Sequence, residues 1–285
     1  QEKAFDRVWH EGLIMDLHHS GHWSPSELRL FWFYLHDRRF RIFINGRTPS
    51  ELRKTSAGTP QGGILSPTLY ILRMECLLRA TYPPGVITLA YADDLILQYS
   101  GHPGKETEHI LQSSVQTIEN TCRKARMKIN PAKSNILMVT RGHQTPPELT
   151  IFGGLIPPVK QMKILGVVFN RAGTSSDHVT TLRRKTQHIV AMLRRLSKHP
   201  KLTATIINCI LSPTITYGCG AWAAGLSENL AKKIEVIQLK AIKSALHLPH
   251  WISNAYAWKE AEKLGCIRPI ILTTLSQAKQ DLLQF

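Results

Sequence analysis

Apolar positions recur at two different periods along the chain, and the switches between them mark its elements. SELRLFWFYLH (26–36) has helical spacing and opens behind Ser24-Pro25-Ser26, a helix-start signal. Phe40 to Asn45 (FRIFIN) alternates as a strand and runs into an Asn45-Gly46 turn. In TSAGTPQGGILSPTLYILRMECLLRA (55–80) the Gly/Pro-rich head predicts a loop. The tail, from about Ser66, predicts a helix that tolerates Pro67 in its first turn. Val86 to Tyr91 and Leu95 to Tyr99 are short β-prone runs separated by Ala92-Asp93-Asp94, a tight hairpin. A helix is predicted over 106–128, ended by Ile129-Asn130-Pro131, with further strands at Ile136 to Thr140 and Met162 to Phe169. Beyond Asn170 the strand signal fades, and helical patterns at 178–199, 201–212 and 227–247 predict a mostly helical second domain. The expected division is 1–171 and 172–285, in an α+β chain.

Composition narrows the class of function. A length of 285 residues with 43% hydrophobic side chains is enough for two domains with their own cores. Five cysteines, an odd number with no C-x-x-C pair, predict a reducing compartment and no disulfide framework. No apolar run reaches the ~18 residues that would cross a bilayer, and the opening QEKAFDRVWHEGL has no signal-peptide pattern and looks cut. The net charge of +16, from 36 Lys+Arg against 20 Asp+Glu, draws polyanions and nucleic acid above all. None of the thirteen histidines lies in H-E-x-x-H or at zinc-finger spacing, and His18-His19 and His247/His250 read as surface or packing residues.

Two features carry candidate chemistry. Asp93 and Asp94 are adjacent carboxylates at a turn between uncharged strands. Alone they read as turn residues, but together they can hold a hard cation such as Mg²⁺ alongside substrate phosphates. Upstream, Gly58-Thr59-Pro60-Gln61-Gly62-Gly63 leads into a helix start, where backbone can approach a ligand and anions are favoured. A third feature is a basic face. On a helix over 178–199, Arg183, Arg184, Arg194, Arg195 and Lys198 fall in an arc of roughly 120°, with Leu182, Ile189, Met192, Leu193 and Leu196 opposite and Lys185 at the apolar edge. That face lacks any acid and suits a nucleic-acid backbone, read without sequence. Arg38, Arg39, Arg41, Arg47, Arg53 and Lys54 form another basic stretch.

GTPQGGILSPTLY, followed by YADDLIL, resembles the central and catalytic palm motifs of reverse transcriptases. KAFDRVWHEGL, YLHDRRFRIFING, INPAKSNIL, KILGVVFN, TYGCGAWA and SNAYAWKEAEKLGCIRPI are similar to jockey-type non-LTR retrotransposon polymerases, over nearly the whole chain. The resemblance implies a right-hand polymerase palm, an antiparallel sheet with helices on one face, followed by a helical thumb. It also implies an RNA-directed DNA polymerase acting in nucleus and cytoplasm on an RNA template, a DNA primer or target and dNTPs. Asp93 and Asp94 would hold two Mg²⁺ ions, with Mn²⁺ as a substitute. Tyr91 and Ala92 would complete the turn motif. Gln61 and Gly62 would lie against the template base and incoming nucleotide, with Ser66 and Pro67 opening the helix behind them. Phe5 would block a 2′-hydroxyl, and Lys133 would protonate departing pyrophosphate. The family's first motif is D-x-x-K-A-F, and counting back from Lys3-Ala4-Phe5 puts its aspartate one residue before Gln1. Asp6 lies on the wrong side of Phe5 to replace it. The chain as written therefore reads as an enzyme fragment lacking its third carboxylate and the fingers. A domesticated, non-catalytic nucleic-acid-binding relic would look the same.

Overall fold

The computed structural model describes residues 5–43, 46, 49–140, 142, 144–196, 200–223, 226–263 and 265–266, leaving aside the side chains of 194, 196, 200 and 201. The chain divides into two compact units, 1–136 with 145–158, and 137–144 with 159–285. This division differs from the single cut expected near residue 172. The hairpin at 161–170 belongs with the helices that follow it, because Val167 and Phe169 pack in their core.

In the first unit a single 3₁₀ turn, Phe5–Arg7, precedes α1 (His10–His19) and α2 (Pro25–Leu35). Helix α2 starts on a reciprocal cap: Ser24 Oγ accepts from the Glu27 amide while Glu27 accepts from the Ser24 amide. The strand expected over 40–45 is shorter: β1 (Arg39–Phe40) pairs with β2 (Arg53–Lys54), and Phe43 makes one bridge to Pro49. Ile44 and Asn45 lie outside the described residues. Helix α3 (Ser66–Leu78) follows the glycine loop, then β3 (Val86–Tyr91), β4 (Asp94–Tyr99) and α4 (Lys105–Lys124). Leu13, Leu17, Phe31, Leu35, Leu69, Met74, Leu77, Ile118 and Cys122 build one core from α1 to α4. Only one face of β3–β4, with Ala90, Leu95 and Leu97, packs on it.

The 3₁₀ turn Pro131–Lys133 leads to β5 (Ile136–Leu137), of which Ile136 belongs to this unit, and then to β6 (Leu149–Ile151) and β7 (Gly154–Ile156). The β6–β7 hairpin falls between the strands expected at 136–140 and 162–169, where the sequence predicts no strand. It turns on Phe152 (φ 49°) and Gly153 (φ 75°), both left-handed, which matches the twist of the flanking strands. After β8 (Pro158–Val159), β9 (Gln161–Ile164) and β10 (Val167–Asn170) form an antiparallel hairpin in place of the single strand expected over 162–169. Leu165 (φ 46°) and Gly166 (φ 90°) reverse the chain there, and the tyrosine hydroxyl of Tyr217 donates to the Leu165 carbonyl at 2.9 Å. Every sheet among the described residues is two-stranded.

The rest of the second unit is helical: α5 (Ser176–Leu196), α6 (Pro200–Ile206), α7 (Ser212–Thr216), α8 (Cys219–Trp222), α9 (Glu228–Ala245) and α10 (Asn254–Lys263). A π-turn at Ile207–Leu211 links α6 to α7, so the run continues past the expected end at 212. Pro213 has no N–H to return to the preceding turn, and the wider turn absorbs that loss. Helix α5 packs along α9, burying Val179, Leu182 and Leu193 with Ile234, Ile237 and Ile242.

Candidate active site

The turn between β3 and β4 contains two residues, Ala92 and Asp93. Asp94 is the first residue of β4, paired with Tyr91. The three-residue turn expected from sequence is thus one residue shorter. Ala92 has φ 50° and Asp93 does not share the left-handed region, so the turn has the II′ pattern, which favours glycine at its first position. An alanine there costs about 1–2 kcal/mol. Pairs facing each other across a ladder share a face, so Asp94, Tyr91, Leu89, Ile96 and Ile87 lie on the side opposite the core. Tyr91 is 64% exposed, and Ile87 and Leu89 are about half exposed.

Asp93 is exposed but lies near the buried Tyr70 of α3. Burial pushes the Tyr70 hydroxyl well above the ordinary tyrosine range, and the Asp93 charge pushes it the same way. The Tyr70 ring packs on Phe5 with centroids 4.5 Å apart and planes at 33°. Phe5 belongs to a 3₁₀ turn rather than a strand. Sequence motifs far apart in the chain therefore meet through Tyr70, the last residue of the GTPQGGILSPTLY motif, to which the sequence reading gave no role. The available sign was its place on one helical face with Ser66 and Met74, one turn away on either side.

The glycine loop is held from both sides. The Thr59 amide donates to the Phe5 carbonyl at 2.8 Å, and the Gly58 amide donates to that of Val8 at 2.9 Å. His10, buried on α1, donates from Nε2 to the Gly58 carbonyl at 2.8 Å. Gly58 has φ +90°, and a Cβ there would lie 2.8 Å from the Asp6 carbonyl oxygen, so no other residue fits. On the far side, Ser66 does not cap α3. Its hydroxyl donates to the Pro60 carbonyl at 2.6 Å and sits 3.3 Å from the Tyr34 hydroxyl. Gln61 and Gly62 are exposed at the tip, where Gln61 Nε2 donates to Asp6 Oδ1 at 3.3 Å, and Gly62 (φ +81°) has open space where a Cβ would stand. Asp6 is a loop partner here.

Lys133 is exposed on the turn that the Asn130 side chain caps by accepting from the Ala132 amide at 3.0 Å. That turn lies beside β7, with Pro131 close to Gly154. Asp93 and Asp94 supply hard carboxylate oxygens suited to divalent cations. No group of three or more His, Cys, Asp or Glu gathers among the described residues. In the second unit, Arg183, Arg184 and Arg195 are exposed along α5 with no ion pair among the described residues, and Lys185 is exposed with them. Met192, expected on the apolar side, is 38% exposed, whereas Thr186 takes a buried position through a bond to the Leu182 carbonyl. The Arg194 side chain and Lys198 lie outside the described residues. In the basic stretch around β1, Lys54 and Arg39 both pair with Asp37, at 2.9 and 3.6 Å.

An aspartate-tipped hairpin backed by a helix, and a glycine loop that opens that helix, place the first unit with the palm-type polymerases as a class. The chain belongs to the reverse transcriptase (RNA-dependent DNA polymerase) family, whose model matches residues 1–169. It is 31% identical over 254 residues to a Drosophila melanogaster sequence described as an RNA-directed DNA polymerase from transposon X-element, covering 85% of this chain and 27% of that protein. It is 28% identical over 265 residues to the corresponding protein of transposon BS from the same fly, covering 88% and 29%. The RNA-directed DNA polymerase from mobile element jockey of Drosophila funebris is 27% identical over 263 residues, covering 88% and 28%. The chain thus spans under a third of the length of these relatives. No solved structure matches it.

Proposed function

We propose that the chain is the palm and thumb portion of a non-LTR retrotransposon reverse transcriptase, extending a DNA 3′ end on an RNA template with dNTPs. The convergence of Phe5, Tyr70 and Asp93, with the Gln61 loop anchored to the same Phe5 segment, carries this reading. Asp93 and Asp94 would hold two Mg²⁺ ions, which would supply charge neutralisation at the transferring phosphate and a more acidic primer hydroxyl. Gln61 and Gly62 lie against the template base and the incoming nucleotide. The Phe5 ring occupies the space a 2′-hydroxyl would need, favouring deoxynucleotides. Lys133 gives a proton to the leaving pyrophosphate. Arg183, Arg184 and Arg195 follow the backbone of the template–primer duplex through phosphate contacts. The site of action is the nucleus for target DNA, with synthesis of the protein in the cytoplasm.

Primer extension tests this. The chain is joined to an upstream segment that carries an aspartate three residues before Lys3, and extension of a DNA primer on RNA is measured with Mg²⁺. Asp93→Ala and Asp94→Ala serve as comparisons. Extension in the joined form that either substitution abolishes is the expected result. Salt-sensitive duplex binding without extension in any form overturns the polymerase reading and leaves a nucleic-acid-binding relic.

A further inference from the structure

We infer that Tyr70 is the positioning residue that sets the nucleotide's sugar selectivity, by holding the Phe5 ring at a fixed place relative to Asp93. The inference rests on the polymerase reading above and extends it to a residue in contact with neither sugar nor phosphate.

The Phe5 backbone is fixed by the Thr59 amide, but that bond leaves the ring free to turn about its side-chain torsions. What limits the ring is Tyr70. Only 1% exposed, Tyr70 presents its ring face to Phe5 at 4.5 Å. Its own freedom is small, because Leu69, Met74 and Leu77 bury the same helix face and its hydroxyl donates weakly to Met74 Sδ at 3.5 Å. The strand that leads into the Asp93 turn, β3, packs on the same helix α3, and the Asp93 charge acts on the Tyr70 hydroxyl. Tyr70 thus touches the Phe5 ring and neighbours the carboxylate, so the ring's place relative to Asp93 is set through it. An aromatic pair at this spacing biases ring position by about two- to tenfold over an aliphatic neighbour. A filter that works by excluding one hydroxyl is as selective as its wall is rigid, and hydrophobic shape alone discriminates by about 10- to 200-fold.

Three variants of the joined enzyme separate this role from ordinary core packing. Tyr70→Leu keeps bulk without a flat ring, Tyr70→Phe keeps the ring without the hydroxyl, and Phe5→Val removes the wall. The readouts are kcat/KM for dNTP and for the matching rNTP, and hydrogen exchange at the Thr59 amide in the 285-residue chain. Tyr70→Leu is expected to narrow the dNTP/rNTP ratio by about three- to tenfold, through a lower KM for rNTP, and to speed exchange at Thr59. Tyr70→Phe restores both readouts, and adding Tyr70→Leu to Phe5→Val narrows the ratio no further. If Tyr70→Leu depresses both nucleotides equally, or the double variant shows a second independent loss, Tyr70 is only core and the inference falls. If the joined wild-type chain shows no extension, the polymerase reading fails. The selectivity inference falls with it, whereas extension together with unchanged Thr59 exchange in Tyr70→Leu overturns the inference alone.

Discussion

Two hairpins of the first unit, β3–β4 and β6–β7, are built to the same plan, a two-residue turn between short antiparallel strands, but their turns are treated oppositely. The β6–β7 turn places Gly153 where a left-handed residue is wanted, and Glu119 on α4 secures it by accepting from the Phe152 amide at 2.9 Å while pairing with Arg123. The β3–β4 turn places an alanine at φ 50°, follows it with Asp93, and leaves Tyr91 and Asp94 on an open face. The first turn also bears a left-handed non-glycine residue, Phe152, but holds its amide through the Glu119 bond. The second spends about 1–2 kcal/mol of backbone strain, the kind of expense that gathers at functional sites.

Substitutions that trade one design for the other test the contrast. The largest expected effect is on activity: Asp93→Ala lowers Mg²⁺-dependent primer extension by at least about 100-fold, the loss typical of removing a group that stabilises transition-state charge. Its thermal midpoint stays close to wild type, because Asp93 is exposed. Glu119→Ala inverts that result. It costs about 1–3 kcal/mol by denaturant unfolding, through loss of a charged hydrogen bond to the Phe152 amide, and changes extension per folded molecule little. Glu119 also adds a pH dependence. Bonds to Arg123 and to the Phe152 amide hold its carboxyl below the usual range of about 4.5, so the stability it contributes is present above that value and lost as pH falls through the lower folded value. Unfolding curves between pH 6 and pH 3 show this slope in the wild type and lack it in Glu119→Ala.

Gly153→Ala puts a second left-handed non-glycine residue beside Phe152 in the β6–β7 turn and costs about 1–2 kcal/mol. The reverse exchange, Ala92→Gly, has the smallest effect. Relief of strain is partly offset by about 0.4–1 kcal/mol of added freedom in the unfolded chain, leaving a net gain under about 1 kcal/mol, while a looser turn slows extension several-fold. A large loss of stability in Ala92→Gly would show that the alanine is there for packing.

The second unit offers a separate titration check. The His178 Nδ1 accepts from the Val168 amide at 3.2 Å, so a proton on that nitrogen breaks the bond. Burial lowers its pKa below the ordinary 6.5, and Lys185 lowers it further. A histidine with a depressed folded pKa binds protons more readily when unfolded, so its contribution is full above pH 6.5 and is lost as pH falls below it. Replacing His178 with Gln flattens that slope.

Local patterns make the β3–β4 turn and the glycine loop legible. Alternation ends where β3 ends, and Ser24-Pro25 announces α2. The β9–β10 hairpin was read as one strand because Leu165 is a poor turn residue, and only Gly166 hinted that the chain reverses. The β6–β7 hairpin was missed because three-residue strands have too few positions to show a period. Asp93, Gln61 and Phe5 take their assigned roles from family resemblance. His10 and Tyr34 act through contacts between distant segments, of which a pattern read along the chain carries no sign, and Tyr70 shows there only its helical face.

Arg73 joins more of the first unit than any one motif does. Its side chain is 3% exposed, pairs with Asp16 on α1, and donates to the Ala125 carbonyl just past the end of α4 at 2.5 Å, all from the middle of α3. A guanidinium sheltered this well cannot let go of one helix and keep the other two without stranding its charge. Loosening should therefore be shared: amides of α1, α3 and the last turn of α4 exchange with solvent together, as one cooperative block, and Asp16→Ala releases all three at once. The helix that carries Ser66 and Tyr70 thereby inherits the stability of its whole neighbourhood.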